Sequence, residues 1–516
     1  MRLDGLIAAG LAGEAAGTEI AGLAYDSRAV RPGDLFFCVS GFRADGHEFA
    51  SQAVAAGAAA LVVERPLNLG VPEVLVDSAR AAMAPAAARF YGDPSHELKV
   101  VGVTGTNGKT TTAYLVRALL EAAGMQCGLL GTVKSVIGGE ERPVERTTAE
   151  AIDLQAALRA MLDGGDRACA MEVSSHALEL GRVQEIQFAA AIFTNLTQDH
   201  LDFHADMEDY FQAKRRLFAP VNGPAPGVSV VNVDDPYGRR LAQEIPLPGT
   251  GTMRGRCEDV LTFALDALAD YSASDVRCGL ERCSFTLNTP AGARDLALPM
   301  PGRFNVANAL GALAAAHALG GDLDVLVTAL ERGVRVPGRF EPVDGGQDFA
   351  VLVDYAHTPD SLENVLRAAR DLVESGGEAG GRVVCVFGAG GDRDRGKRPL
   401  MGEIATRLAD LVLVTSDNPR SEDPEQIIEE IMGGVVCAHT RTLVDRRQAI
   451  AEAIAEGRRG DVVVIAGKGH EQGQELAGGV KVPFDDVTVA REALRELATK
   501  PEAHTLAATG RQAGTR

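Results

Sequence analysis

Positive charge is in short supply in this chain. Lysine and arginine number 51 against 71 aspartates and glutamates, a formal net charge of −20 at pH 7. A general nucleic-acid partner needs a basic surface to neutralise phosphate, so none is expected and any phosphate binding must be local. Long apolar runs are missing as well. No stretch of about 18 apolar residues occurs, which predicts no membrane span. The N-terminus carries Asp4 and lacks a basic-then-apolar signal pattern, so export is not expected. The eight cysteines include no C-x-x-C pair. Cys278 and Cys283 are the only close pair, and no matching His or Cys pair completes a zinc site with them. Cys169 and Cys385 sit in apolar runs and read as small buried hydrophobes. Reduced thiols in a cytoplasmic protein are the expectation. No internal repeat is present.

What remains has the composition of a globular protein, 46% hydrophobic and 24% charged. At 516 residues the chain exceeds one hydrophobic core, and about two to four domains are expected. The most informative run is Gly102-Val-Thr-Gly-Thr-Asn-Gly-Lys-Thr-Thr-Thr112. It follows an apolar stretch, Leu98 to Val103, that reads as a buried strand. It precedes Ala113 to Ala123, where Leu115, Val116, Leu119 and Leu120 recur at helical spacing. Strand, Gly-rich turn, Lys-Thr and helix form the layout that holds nucleotide phosphates. Backbone N–H groups and the helix N-terminus face the anion, Lys109 adds a point charge, and the Thr110 hydroxyl can hold Mg²⁺. The loop is a short form, Gly105-x-x-Gly108-Lys109-Thr110, because Val103 stands where the standard motif needs glycine.

Strand-like runs alternate with helical ones along the chain, which predicts α/β domains with largely parallel sheets. Residues 1–92 hold short strands (Asp34–Val39, Ala59–Glu64, Glu73–Val76) and Ala-rich helices, and Tyr91-Gly-Asp-Pro-Ser95 reads as a linker. A central domain is expected over 93–336, with an irregular stretch at 250–300 that holds strand-like pieces such as Cys283–Leu287. A third is expected over 337–500, followed by a mobile tail at 501–516. In the third, Phe349–Val353, Arg382–Phe387, Leu411–Thr415 and Asp461–Ala466 read as strands, and Thr358-Pro359 as a helix cap with proline at the first helical position. Ligands bind beyond the carboxyl ends of such strands. Polar clusters fall there: Asp354-Tyr-Ala-His-Thr-Pro359, Gly388–Arg398, Asp417-Asn-Pro-Arg420 and Gly467-Lys-Gly-His-Glu471.

Two further clusters carry chemistry. The strand Ala168–Met171 ends in Glu172, and a carboxylate at a strand end beside a phosphate loop is a natural Mg²⁺ ligand or a capping acid. The strand Ala189–Phe193 runs into a loop bearing two of only ten histidines, His200 and His204. Tyr210–Phe218 is an amphipathic helix on which Lys214 reads, by itself, as an ordinary helix lysine.

Taken in order, these pieces resemble the Mur ligases and their folylpolyglutamate synthetase relatives, which join an amino acid to a carboxylate using ATP. Arg303-Phe-Asn305, Gly338-Arg-Phe340 and Asp354-Tyr-Ala-His-Thr-Pro359 extend the match over nearly the whole chain. The resemblance implies three domains: a small N-terminal α/β uridine-binding domain, a central P-loop α/β ATPase domain and a C-terminal Rossmann-like domain. It implies that Gly105, Thr106, Asn107, Gly108, Lys109, Thr110, Thr111, Asn305, Arg339 and Asp354 surround ATP. It implies that Thr110, Glu172, His200 and a carbamylated Lys214 serve Mg²⁺, the carbamate turning a cation beside the metal into an anion that can hold it. It implies that Lys109, Glu172, His200 and Lys214 are the catalytic set.

Within the family the pattern is most like the branch that adds meso-diaminopimelate to UDP-N-acetylmuramoyl-L-alanyl-D-glutamate. Ser27 in Asp26-Ser27-Arg28, with Thr147, Thr148, Ser174 and Arg182, matches positions that hold the UDP-linked dipeptide. Arg393, Asp417, Asn418, Pro419, Arg420, Gly467 and Glu471 match the diaminopimelate pocket. Phe42, Arg43, Arg146 and Leu180 depart from the usual pattern. Arg420 is expected to grip the distal carboxylate that lysine lacks, and with lysine bound to be left buried and unpaired, at roughly 2–5 kcal/mol. Glu471 and Asp417 are expected to serve the ammonium end. The implied enzyme is a cytoplasmic monomer of peptidoglycan precursor synthesis. Folylpolyglutamate synthesis, lysine addition and a non-catalytic nucleotide-binding scaffold are the competing readings.

Overall fold

A computed structural model describes residues 1–7, 13–41, 44–220, 224–245, 259–375, 380–436 and 439–499. The chain divides into two compact units, Met1–Arg277 with Glu281–Val336, and Pro337 onward with Cys278–Leu280.

The first unit holds two sheets. Strands β1 (Gly22–Ala24), β2 (Asp34–Phe37), β3 (Ala60–Val63) and β4 (Glu73–Leu75) form a four-stranded parallel sheet in sequence order. Its central strands are apolar without alternation because both faces are covered. Leu35 and Phe37 point into one core and Phe36 into another. The first core is completed by Ala151 and Ile152 of the helix Ala151–Asp163, and the Tyr25 hydroxyl donates to Asp153 of that helix at 2.6 Å.

The second sheet has eleven strands. In chain order they are β5 (Lys99–Thr104), β6 (Cys127–Leu130), β7 (Ser135–Ile137), β8 (Glu140–Arg142), β9 (Ala168–Glu172), β10 (Phe188–Phe193), β11 (Val228–Asn232), β12 (Asp259–Ala264), β13 (Tyr271–Cys278), β14 (Cys283–Thr289) and β15 (Gly292–Leu298). Their spatial order is β15-β14-β13-β12-β11-β10-β5-β9-β6-β7-β8. β5 lies between β9 and β10, parallel to both, with Val103 opposite Glu172 on one side and Ile192 on the other. The loops that leave these three strands therefore start side by side, at a point where the chain order reverses and a crevice opens. The stretch expected to be irregular contains, from residue 259, four strands that extend this sheet, β14 and β15 forming an antiparallel ribbon. Cys278 and Cys283 are disulfide-bonded, against the expectation of reduced thiols throughout. The strand ends hold them five residues apart across a turn, where sequence gave no reason to oxidise them.

The second unit is built on a six-stranded sheet. Its strands are β16 (Glu341–Pro342), β17 (Ala350–Asp354), β18 (Val383–Phe387), β19 (Leu411–Thr415), β20 (Thr440–Leu443) and β21 (Val462–Ala466), in the order β16-β17-β21-β18-β19-β20. All pairings are parallel except that of β16. A small antiparallel hairpin, β22 (Gly473–Glu475) with β23 (Lys481–Pro483), follows β21. The expected cap is present: Thr358 Oγ1 accepts from Ser361 N at 3.2 Å at the head of the helix Pro359–Ser375. The predicted tail at 501–516, with Phe42 and Arg43, lies outside the described residues. No described helix is long and apolar enough to cross a membrane.

Candidate active site

The phosphate loop spans the gap between β5 and the helix Lys109–Ala122. Two of its residues have to be glycine. Gly105 (φ +150°) and Gly108 (φ +85°) lie in backbone regions that side chains rarely adopt. A Cβ on the first would stand 1.9 Å from Thr194 Oγ1, and on the second 2.4 Å from Asn308 Oδ1. The loop is pinned by the residues after β10. Thr106 N and Asn107 N donate to Asn195 O and Oδ1, both at 2.9 Å, and Thr194 Oγ1 donates to Asn107 O at 2.6 Å. Thr106 Oγ1 donates to Thr197 O at 3.2 Å and accepts from Thr197 N at 3.0 Å. Lys109 folds back so that Nζ donates to Gly105 O at 2.9 Å and Thr106 O at 2.7 Å. Its ammonium thus sits over the loop mouth. Thr111 is buried in the first turn of the same helix.

Glu172 ends β9, 1% exposed. It accepts from Thr110 Oγ1 at 3.0 Å, Thr132 N at 2.7 Å and Thr132 Oγ1 at 3.0 Å. Thr132, which the sequence did not single out, lies with its Oγ1 3.1 Å from Thr147 Oγ1, whose hydroxyl can donate to it. Thr148 Oγ1 donates to Glu172 O at 2.8 Å and accepts from Ser174 N at 3.1 Å, and Ser174 caps the helix Ser175–Glu179. Arg182 donates to Thr148 O at 3.0 Å and pairs with Glu150 at 2.8 Å. Glu150 is shared with Arg80 at 3.1 Å and the half-exposed Arg146 at 3.7 Å. Four of the five residues matched to the dipeptide thus form one connected group beside Glu172. Leu180 ends the same helix. Ser27 stands apart in the turn after β1, donating to Gln52 Oε1 at 3.0 Å.

Lys214 is the least ordinary lysine in the unit. It lies on the helix Met207–Arg215, capped by Asp206, and is 1% exposed. Its Nζ donates to Gly105 O at 2.8 Å, the carbonyl that Lys109 also uses, and lies 4.6 Å from the Tyr210 ring centroid. Burial, and then the Lys109 charge, push its ammonium well below the usual lysine range. Read by itself as an ordinary helix lysine, it is buried because the helix face that carries Tyr210 and Phe211 is turned inward. His200, at φ +56°, takes its N–H to Asp199 Oδ1 at 2.9 Å, and its ring meets His176 at 4.9 Å and Tyr210 at 6.0 Å. Burial pushes His200 down to about 3, opposed by Asp199, and His176 down to about 4. Neither His200 nor Lys214 is hydrogen-bonded to Glu172. Asn305 opens the helix Arg303–Ala318, donating to Pro301 O at 2.8 Å and accepting from Asn308 at 3.3 Å.

In the second unit the strand ends gather the remaining residues. Asp354 closes β17 and accepts from Phe340 N at 2.6 Å; burial pushes it up to about 6, opposed by Arg339. The Arg339 guanidinium lies 4.5 Å from the Tyr355 ring. After β19 and β21, Asp417, Asn418, Glu471 and Lys468 form one network. Lys468, fully buried, donates to Asn418 Oδ1 at 2.9 Å and Glu471 Oε2 at 3.0 Å, and lies 3.7 Å from Asp417. Asn418 Nδ2 donates to Glu471 Oε2 at 2.8 Å. Gly467 (φ +121°) packs against Asp417. Pro419 O lies against Gly391. Arg393 makes only a 3.4 Å bond to Asp392 O. The carboxylates expected to await an ammonium group are thus already engaged with a lysine that lay unremarked inside a noted cluster. Arg420 also departs from expectation. It is 21% exposed, and its Nε donates to Glu475 Oε2 at 2.9 Å. Its charge has a partner without any ligand, because the hairpin β22–β23 brings a second carboxylate to it.

Known proteins agree with this architecture. Residues 19–92 match the Mur ligase family catalytic domain, 103–316 the Mur ligase middle domain and 338–469 the Mur ligase glutamate ligase domain. The chain is 46% identical to UDP-N-acetylmuramoyl-L-alanyl-D-glutamate--2,6-diaminopimelate ligase of Syntrophomonas wolfei, over 92% of this chain and 95% of that one. It is 48% identical to the protein of the same name from Synechococcus elongatus, over 92% and 94%. A solved structure with that name superimposes with a TM-score of 0.67 at 33% identity, covering 97% of this chain and 100% of the other. With a phosphate loop between β5 and its helix, a carboxylate on the neighbouring strand and this likeness along the whole chain, the protein belongs to the Mur ligase family and is a ligase that uses ATP.

Proposed function

We propose that the chain joins meso-diaminopimelate to UDP-N-acetylmuramoyl-L-alanyl-D-glutamate at the expense of ATP, in peptidoglycan precursor synthesis. The observation that carries the reading is the meeting of three features at the carboxyl ends of neighbouring interior strands: the phosphate loop, the Thr110–Glu172 oxygen pair and the buried Lys214 amine. The likeness to ligases of that name over more than nine-tenths of the chain supports the substrates.

In this reading the loop N–H groups and Lys109 hold the ATP phosphates, and Asn305, Arg339 and Asp354 serve the nucleotide. Thr148, Ser174 and Arg182 hold the UDP-linked dipeptide, with Thr147 and Ser27, so that its terminal carboxylate faces the γ-phosphate. That carboxylate oxygen bonds to phosphorus as the bond to ADP breaks, giving an acyl phosphate. The free amine of diaminopimelate, held by the Asp417–Arg420 loop, Arg393, Gly467 and Glu471, then attacks the acyl carbon; phosphate leaves and the amine sheds its proton. Lys109 follows charge onto the transferring group.

The residues fit Mg²⁺. Among the described residues no three His, Cys, Asp or Glu side chains converge as a self-sufficient metal cage. Mg²⁺ takes one or two protein oxygens and completes its shell with water and substrate phosphates, and Thr110 with Glu172 offers such oxygens 3.0 Å apart. Bound there with His200 and Lys214, it would supply positive charge against the phosphates. The low-lying Lys214 ammonium favours a neutral amine, which can add to CO₂ and release a proton to give a carbamate. The reading includes action as a cytoplasmic monomer. Phosphate release with UDP-MurNAc-dipeptide, with diaminopimelate, lysine or neither, tests it. Release that needs diaminopimelate is expected; release driven equally by lysine, or none with either, would reject it.

A further inference from the structure

Glu475 sits on the hairpin β22–β23, outside every cluster matched to a ligand. It nevertheless makes three bonds to the loop that carries Arg420. Its N–H donates to Asn418 Oδ1 at 2.9 Å, its carbonyl accepts from Arg420 N at 3.1 Å, and its carboxylate takes Arg420 Nε at 2.9 Å. Gln474 beside it donates to Ser416 Oγ at 2.9 Å and to Asp417 O at 2.5 Å. Arg420 Nη1 is bound to Gly391 O at 2.7 Å. A guanidinium grips a carboxylate with two parallel N–H donors. Glu475 therefore holds half of one gripping edge, with a group of the same chemistry as the substrate's distal carboxylate.

We propose that Glu475 is an internal competitor for Arg420, a specificity-determining residue that yields Nε to the distal carboxylate of diaminopimelate and so sets how strongly the enzyme prefers it to lysine. The proposal rests on the assignment of Arg420 to that carboxylate. Its physical content lies in the reference state. With Glu475 present, Arg420 is neutralised before substrate arrives. A bound lysine then leaves no orphan charge, and diaminopimelate must displace or share with a like charge. Both effects narrow the preference. Without the Glu475 charge, Arg420 attracts the distal carboxylate more strongly and is left unpaired by lysine. Arg420 is 21% exposed and Glu475 35%, so solvent screens the pair and the effect is modest, about two- to fivefold.

The test compares kcat/KM for diaminopimelate and lysine in wild type, E475Q, E475D and R420A. E475Q keeps the shape and the backbone bonds but removes the charge. Its KM for diaminopimelate is expected to fall and its preference over lysine to rise about two- to fivefold, with E475D between it and wild type. If Glu475 merely braced the loop, both amino acids would lose in the same proportion; that result, or an unchanged ratio, overturns the proposal. R420A separates the two layers. Loss of preference in R420A with an unmoved ratio in E475Q sinks the Glu475 role alone. Preference retained in R420A removes the arginine assignment, and the competitor with it.

Discussion

The phosphate loop and the C-terminal pocket handle charge differently. In the loop, the groups that would face an anion are backbone N–H groups and one lysine folded over its own turn, braced by Thr194, Asn195 and Thr197. In the pocket, two of the cations are already answered by other side chains: Lys468 by Glu471, and Arg420 by Glu475. The loop offers a preformed cradle, whereas the pocket has internal partners that a substrate must replace. A preformed cradle gives rate, since donors need no rearrangement as charge develops. A self-paired pocket gives selectivity that can be tuned, since each internal partner sets the baseline against which a ligand is judged.

The largest expected effect tests the cradle. Lys109→Ala should lower kcat for phosphate release about 10²–10³-fold while the melting temperature stays near wild type. Near-normal turnover in the folded variant would show that the lysine does not follow the transferring charge. Next comes the buried amine on the same side. Lys214→Ala should cost about 10- to 100-fold in activity, with partial recovery on adding a small carboxylate, and ¹³CO₂ should give the wild type a carbamate carbon signal that the variant lacks. An unmodified lysine in the active enzyme would break the carbamate reading.

The pocket's effects are smaller because its charges are partnered and partly solvated. Arg420→Ala should cut the preference for diaminopimelate over lysine about tenfold, the worth of a hydrogen bond to a charged group at the low end of its range. That is less than an unpaired buried arginine would give, and a loss of several thousandfold would mean that Glu475 does not neutralise the arginine when lysine is bound. The smallest effect concerns pH. Burial raises the Asp354 carboxyl from the ordinary aspartate range, about 4, to about 6. Between these values the folded state holds a proton that the unfolded state has lost, so stability falls as pH rises through that window, and the cost is fully present above about 6. Asp354→Asn, which retains an acceptor for Phe340 N, should flatten melting temperature against pH from 4 to 6. An unchanged slope would place the titration elsewhere.

Contiguity explains what could be read without coordinates. Gly105 to Thr112 carries its own strand, turn and helix start, and the positive φ at Gly105 and Gly108 is met by the only residue that tolerates the close approach of Thr194 and Asn308. The strands β17, β18, β19 and β21 were legible as apolar runs, because a parallel strand covered on both faces shows no alternation. The short strands β7 and β8 were not. One lies in mixed sequence and the other, Glu140–Arg142, is exposed along its length, so no burial pattern marks it.

The sequence by itself determined the α/β class, the phosphate loop and the strand-end clusters, since each depends on residues close along the chain. Tertiary structure alone decided the state of the charges. Lys214 became a buried amine because its helix turns Tyr210 and Phe211 inward and brings Nζ to Gly105, 109 residues away in sequence. Arg420 gained Glu475 because a hairpin beyond β21 returns to the loop after β19, 55 residues earlier. Charge states follow from which groups meet and how much water is excluded, and both are properties of the folded neighbourhood rather than of the residue.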